Sequence, residues 1–246
     1  MITITDLNKS YQNDHQKLIF EDFNLKINSG EFVSIFGSNG VGKTTLLRII
    51  SGLENIQSGN IVCDGKPISK NGIGYIPQQY NKTLLPWYSV SKNIILPLLI
   101  SGKSEQQAKE ILQDLAKEFA ISLFWNKYPY NLSGGQQQMA VILRSIINNP
   151  ELLLMDEPFS SLDIKTSVEI QKKLLEITRK RKLTTLFVSH RLEEGIFLSS
   201  RILVLKGHPV RIIKDMKNEL PHPRVNSEKQ IQLFNSLKKE VSSGIL

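Results

Sequence analysis

The sequence predicts an α/β protein built from a mostly parallel sheet, an N-terminal antiparallel β portion and an inserted α-helical subdomain. Three observations predict it. Short apolar runs, "EFVSIF" before Gly37, "LLLM" before Asp156 and "TTLFV" before Ser189, have the continuous hydrophobicity of buried strands. Between residues 81 and 131 the pattern changes to helical stripes. Past Asn131 helical and strand patterns alternate, as they do in a mostly parallel α/β sheet.

The first elements are strands. Up to about Pro77, "ITITDL", "FNLKI", "EFVSIF" and "GNIVCDG" alternate or are apolar. They enclose "GSNGVGKTT": Gly37, Ser38, Asn39, Gly40, Val41, Gly42, Lys43, Thr44 and Thr45. The pattern is G-x-x-x-x-G-K-T, with a strand before it and the helical "LLRII" after it, which makes this a P-loop and the core that of a P-loop NTPase. Glycines let successive N–H groups point into one concavity, and the following helix adds the positive end of its dipole, so the loop cradles polyanionic phosphate. Lys43 reaches the β- and γ-phosphates of a nucleotide, and the Thr44 hydroxyl suits Mg²⁺, which prefers hard oxygen ligands.

The helical lobe comes next. In "SEQQAKEILQDLAKEFAI", Ser104 and Gln107 have capping-box spacing, and Ala108, Ile111, Leu112, Leu115 and Phe119 fall on one stripe. In "LSGGQQQMA", Ser133, Gly134, Gly135 and Gln136 open a second helix whose N-terminal amides offer another anion site. The apolar run 152–155 then ends in two carboxylates, Asp156 and Glu157, at the strand edge where open α/β sheets bind ligands. Adjacent residues at a strand end point in different directions, so Asp156 is assigned to metal and Glu157 to the attacking water. The strand from Thr184 ends at His190, placed to donate to the γ-phosphate or to fix the water. After Lys214, "LPHPR" breaks the periodicity before a last helix near residues 227–241.

Composition bounds the class. With 246 residues and 40% hydrophobic side chains the chain has ample material for a core. No run approaches the roughly 18 apolar residues of a membrane span, and "IILPLLI" is interrupted by Pro97. "MITITDLNKS" lacks the pattern of a secretory signal, and the single cysteine, Cys63, allows no internal disulfide, so a reducing cytosol is expected. The net charge of +8 is uneven: residues 1–164 carry 14 Lys and Arg against 15 Asp and Glu, residues 165–246 carry 17 against 8. A basic last third suits nucleic acid or an anionic membrane surface, or is simply solvated, and its densest run is "RKRK", Arg179 to Lys182.

The order of Gly37–Thr45, Gln78, "LSGGQ" at 132–136, "LLLMDEP" at 152–158, "SSLD" at 160–163 and His190 resembles the ATP-binding subunit of an ABC transporter over nearly the whole chain. The resemblance implies a head-to-tail dimer in which ATP lies between the P-loop of one subunit and the Ser-Gly-Gly turn of the other, which gives the two anion sites two different nucleotides. It implies that Tyr11 stacks on adenine, that Gln78 rather than Gln79 reaches Mg²⁺ and the water, and that Asp163 closes the dimer near the opposing P-loop. Met139 stands where many members have arginine, Pro77 where an aromatic residue is frequent, and Arg191 where aspartate is common.

The same resemblance makes Leu84, Leu85, Trp87 and Tyr88 in "TLLPWYSV" the receiver of a permease's cytoplasmic coupling helices. "LLPW" and "LPHPR" are similar to importers of the nitrate, sulfonate, taurine and thiamine-pyrimidine group. The expected organisation is a nucleotide-binding core of residues 1–80 and 132–214, a helical subdomain of 81–131 and a C-terminal tail of 215–246. The expected protein is an ATPase with ATP and Mg²⁺, dimeric with itself or a related subunit, bound to permease subunits at the cytoplasmic face of the membrane, served by a separate solute-binding protein and without nucleic acid. Its rivals are a nucleic-acid- or ribosome-associated ABC ATPase and a small-molecule phosphotransferase.

Overall fold

The computed structural model describes residues 1–12, 16–67, 72–122, 125–221 and 228–245. The chain forms two compact units, residues 1–70 together with 184–246, and residues 71–183.

The first unit begins with β1 (Ile2–Gln12), β2 (Gln16–Ile27), β3 (Phe32–Phe36), α1 (Lys43–Ile50), β4 (Ser58–Cys63) and β5 (Lys66–Pro67). β1 pairs antiparallel with β2, Ile4 opposite Leu25, and with β4, Ile4 opposite Ile61. With β5 beyond β4 these make the antiparallel sheet β2-β1-β4-β5. The inward positions Ile2, Ile4, Phe20, Phe23, Leu25 and Ile27 are buried, the alternation expected of a sheet with one covered face.

The second unit contains β6 (Ile73–Ile76), α2 (Val90–Ile100), α3 (Glu105–Glu118), α4 (Gly134–Ile146), β7 (Leu152–Asp156) and α5 (Ile164–Lys180). β6 and β7 are parallel, Ile76 opposite Met155. α4 lies on β6 so closely that a Cβ on Gly74 would stand 2.3 Å from the Ser145 carbonyl oxygen. α3 has the capping box that its sequence predicts: Ser104 Oγ accepts from Gln107 N at 3.2 Å, and Ser104 N donates to Gln107 Oε1 at 3.0 Å. Ala108, Leu112, Leu115 and Phe119 of its stripe are buried, each contributing about 1–3 kcal/mol of apolar burial.

The chain then returns to the first unit with β8 (Thr184–Val188), α6 (Leu192–Leu198), β9 (Arg201–Lys206), β10 (Arg211–Lys217) and α7 (Glu228–Ile245). β3 runs parallel to both β8 and β9, and β10 closes β9 antiparallel. All five residues of β3 and of β8 are buried, which is why their sequences run apolar instead of alternating. α7 extends past the predicted end at 241 and packs Leu237 and Val241 with Ile196, Ile202, Val204 and Phe36. Of "LPHPR", residues 222–224 lie outside the described residues. No described helix is long and apolar enough to cross a membrane.

Candidate functional site

β3 ends at Phe36 and α1 starts at Lys43, so residues 37–42 form the P-loop. Two glycines are required by geometry. A Cβ on Gly37 would meet the Leu205 carbonyl oxygen at 2.5 Å, and Gly42 caps α1 with φ +119, a region that strains any side chain. Val41 is buried and pins the loop from below, whereas Ser38, Asn39 and Gly40 form its exposed tip. Gly42 has no side chain with which to cap α1, and no acid stands in the first turn, so the positive end of the helix dipole is presented at Lys43, Thr44 and Thr45. The Lys43 ammonium, itself buried, donates back to the carbonyls of Gly37 at 2.8 Å and Ser38 at 3.0 Å. A concavity of glycine backbone with an ammonium over it fits a polyphosphate.

Tyr11 lies at the end of β1, with its hydroxyl 3.5 Å from Thr45 Oγ1. Burial, and next a hydrogen bond to the Glu54 carboxylate, push its phenol above the ordinary value. Glu54 is itself partly desolvated, which works to raise its pKa, but the hydrogen bonds from Tyr11 and Lys9 win and hold it low. His190 lies two residues past β8, exposed, and leads into α6 through Arg191. The turn around it is tied below: Ser189 Oγ donates to Glu194 Oε2 at 2.7 Å, and Arg191 Nη1 meets Glu194 Oε1 at 3.0 Å. Burial is the main reason that the Glu194 carboxyl lies above the usual carboxylate range. Gly195 fits α6 onto β3, since a Cβ there would stand 2.3 Å from Phe36 Cζ.

The remaining candidates belong to the second unit. Asp156 is buried as the last residue of β7, one position further into the strand than its sequence suggests. Glu157 follows with φ +47, a left-handed conformation that costs a non-glycine residue about 1–3 kcal/mol. Gln78 Nε2 donates to Glu157 Oε2 at 3.1 Å, so two side chains 79 residues apart are brought together. Gln79 instead precedes the short 3-10 turn Tyr80–Thr83. Asp156 and Thr44 are hard oxygen donors of the kind Mg²⁺ takes. Among the described residues no three or more His, Cys, Asp or Glu side chains form a metal cage.

Ser133 caps α4, and sequence reasoning underused it. Ser133 Oγ accepts from Gln136 N at 3.4 Å while Ser133 N donates to Gln136 Oε1 at 3.0 Å, a full capping box. The S-x-x-Q spacing that identified Ser104–Gln107 was present here too. The box satisfies the Gln136 amide and does not reach those of Gly134 and Gly135. Gly135 is also a packing residue, for a Cβ would stand 2.4 Å from Thr166 Cγ2. Asp163 caps α5 by accepting from Thr166 N at 2.9 Å, and that backbone hydrogen bond holds its carboxyl below the usual range. Sequence reasoning also missed Lys9 and Glu54, whose ion pair at 3.0 Å adjoins Tyr11, although Lys9 and Tyr11 share one face of a strand by spacing.

Known proteins share this sequence and fold. Residues 20–160, more than half of the chain, match the family model described as ABC transporter. An ABC transporter ATP-binding protein of Methanocaldococcus jannaschii, itself uncharacterised, is 38% identical over 99% of this chain and 94% of its own length. The aliphatic sulfonates import ATP-binding protein SsuB of Bacillus cereus is 36% identical over 91% of this chain and 86% of its own. The fold is similar, at a TM-score of 0.76 and 28% identity over 89% of this chain and 99% of the other, to an ATP-binding cassette solved as a dimer in a post-hydrolysis state with ADP and Pi. Sequence and fold therefore agree, and the chain belongs to the ATP-binding subunits of ABC transporters, which are ATPases.

Proposed function

We propose that this subunit hydrolyses MgATP to drive an importer of a small solute such as nitrate, a sulfonate, taurine or a thiamine-pyrimidine precursor. The observation that carries the reading is the SsuB similarity along nearly the whole chain. The LLPW segment supports it from the residues. Asn93 braces that segment, accepting from Leu85 N at 2.7 Å and donating to the carbonyls of Leu85, Tyr88 and Ser89. Trp87 is left 66% exposed on this braced loop, a side chain suited to a permease helix.

In this reading the P-loop amides and Lys43 bind the β- and γ-phosphates, and Tyr11 stacks on the adenine. When bound, Mg²⁺ neutralises phosphate charge, and Thr44, Asp156 and Gln78 are the residues to hold it. Glu157 orients and polarises the attacking water, with Gln78 holding its carboxylate, while His190 steadies the γ-phosphate. Two copies, or this chain and a related subunit, clasp ATP between the P-loop of one and the Ser133–Gln136 turn of the other, with Asp163 at the dimer contact. Permease subunits and a solute-binding protein complete the assembly at the cytoplasmic face of the membrane. The solute is selected in those other subunits.

The nucleic-acid alternative draws on the basic last third, but two of the four cations in its densest run are engaged locally. Arg181 pairs with Glu118 at 2.9 Å and reaches Asn149, and Lys180 pairs with Glu118 at 3.2 Å. Purified Glu157→Gln protein is expected to retain ATP binding and to lose turnover by about a hundredfold or more. Turnover at the native rate would remove Glu157 from its role. Affinity purification from the native host is expected to recover a multispanning membrane protein, and recovery of ribosomes or DNA at physiological salt would favour the alternative.

A further inference from the structure

Tyr11 is not a lone aromatic residue on a strand end. Lys9, two residues earlier on β1 and on the same face, holds its ammonium 4.8 Å from the centre of the Tyr11 ring. That ammonium is fixed from two further sides, donating to the Asn55 carbonyl at 2.8 Å and pairing with Glu54 Oε1 at 3.0 Å. The lysine and glutamate side chains are only 10% and 13% exposed. Glu54 also accepts from the Tyr11 hydroxyl and meets Arg48 Nε of α1 at 3.4 Å. Gln57 clamps the intervening residue, accepting from Ser10 N at 3.0 Å and donating to Ser10 O at 2.9 Å. The ring is thus held on one face by a cation, at its hydroxyl by Glu54 and Thr45, and along its backbone by Gln57.

We propose that Lys9 and Glu54 are positioning residues for nucleotide recognition, forming with Tyr11 a pre-set platform whose second ring face receives the adenine base. The inference rests on the reading of Tyr11 as the base-stacking residue. A buried ion pair is a poor source of net stability, because desolvation offsets much of its attraction, so holding an aromatic ring at the rim of a binding loop is the more economical account of this one. A ring fixed before binding does not lose rotamer freedom when the base arrives. A cation on one face also draws electron density from the ring and favours an electron-rich purine on the other. Because Glu54 meets Arg48 of α1, the platform is tied to the helix that carries the phosphate-binding first turn. Base and phosphate contacts are thereby held in one register.

The test separates base from phosphate. Binding of the non-hydrolysable analogue adenylyl imidodiphosphate with magnesium is measured by calorimetry for the full chain and for Tyr11→Ala, Lys9→Met, Lys9→Arg and Glu54→Gln. The rise in Tm given by millimolar magnesium tripolyphosphate, which has no base, is measured alongside. Lys9→Met and Glu54→Gln are expected to weaken the analogue about fivefold while leaving the tripolyphosphate shift intact, and Lys9→Arg, which keeps a cation for the ring, to restore affinity. Wild-type affinity in Lys9→Met, or equal loss of analogue and tripolyphosphate, overturns the proposal. If Tyr11→Ala weakens the analogue and Lys9→Met does not, the platform falls and base stacking stands. If Tyr11→Ala binds as wild type, the stacking role itself falls.

Discussion

At the scale of single residues, the P-loop shows how little freedom a functional glycine has. Alanine at Gly37 places a methyl group 2.5 Å from the Leu205 carbonyl oxygen, a backbone atom that cannot rotate away. Gly37→Ala is therefore expected to displace the loop and weaken ATP binding at least about tenfold, the effect of about 1.4 kcal/mol, whereas Gly40→Ala, with nothing within 4 Å of its Cβ, meets only the strain of φ +76. Calorimetric titration of the two variants checks the order. Glu194 supplies a pH dependence. Its folded pKa is raised, chiefly by burial, so its contribution to stability is full below the unfolded value of roughly 4.3 and is lost as pH rises through the folded value. Glu194→Gln, which needs no ionisation, is expected to gain on wild type in urea midpoint as pH rises from 4.5 to 7; a constant difference would refute this.

At the scale of elements, the helix starts divide into two kinds. α1 begins at a glycine that leaves its first turn open, while α3, α4 and α5 begin at Ser104, Ser133 and Asp163, each with a side-chain cap. Ser133→Ala removes the cap of α4 and is expected to cost about 1 kcal/mol, visible as a lower denaturant midpoint. Gly135→Ala is expected to do more, because its methyl group would meet Thr166 Cγ2 at 2.4 Å and push α4 from α5. The strands and helices were legible because buried parallel strands and amphipathic helices leave opposite periodicities, and the capping box of α3 was legible from two residues. The left-handed Glu157 and its contact with Gln78 were not, since a backbone torsion and a bond spanning 79 residues leave no local pattern. Nor was the Glu54 partnership of Lys9 and Tyr11, which requires the turn after α1 to meet β1.

At the scale of the chain, the basic excess that sequence counting assigned to residues 165–246 is in part structural. Arg201 holds Asp215 with two short hydrogen bonds and Glu31 at 3.3 Å, and Lys238 of α7 pairs with Glu193 of α6. Composition cannot distinguish these cations from a free basic surface. α7 closes the apolar cluster that includes Phe36 and Ile196, so removing residues 228–246 exposes it. That truncation is expected to lower Tm by several degrees or to yield insoluble protein, as loss of two or three buried leucine- and valine-sized side chains implies at about 1.5–3 kcal/mol each, and a Tm equal to that of the full chain would show that α7 is dispensable to the fold.

The seat of Gly195 on Phe36 couples two positions that lie 159 apart in number, one directly before the P-loop and one inside the helix that follows His190. A bare backbone meets a full benzene edge there, so the pair behaves as key and lock. Gly195→Ala is expected to lower the urea midpoint and Phe36→Leu to recover only part of the loss, because Ser34 Cβ also lies 3.1 Å from the added methyl group.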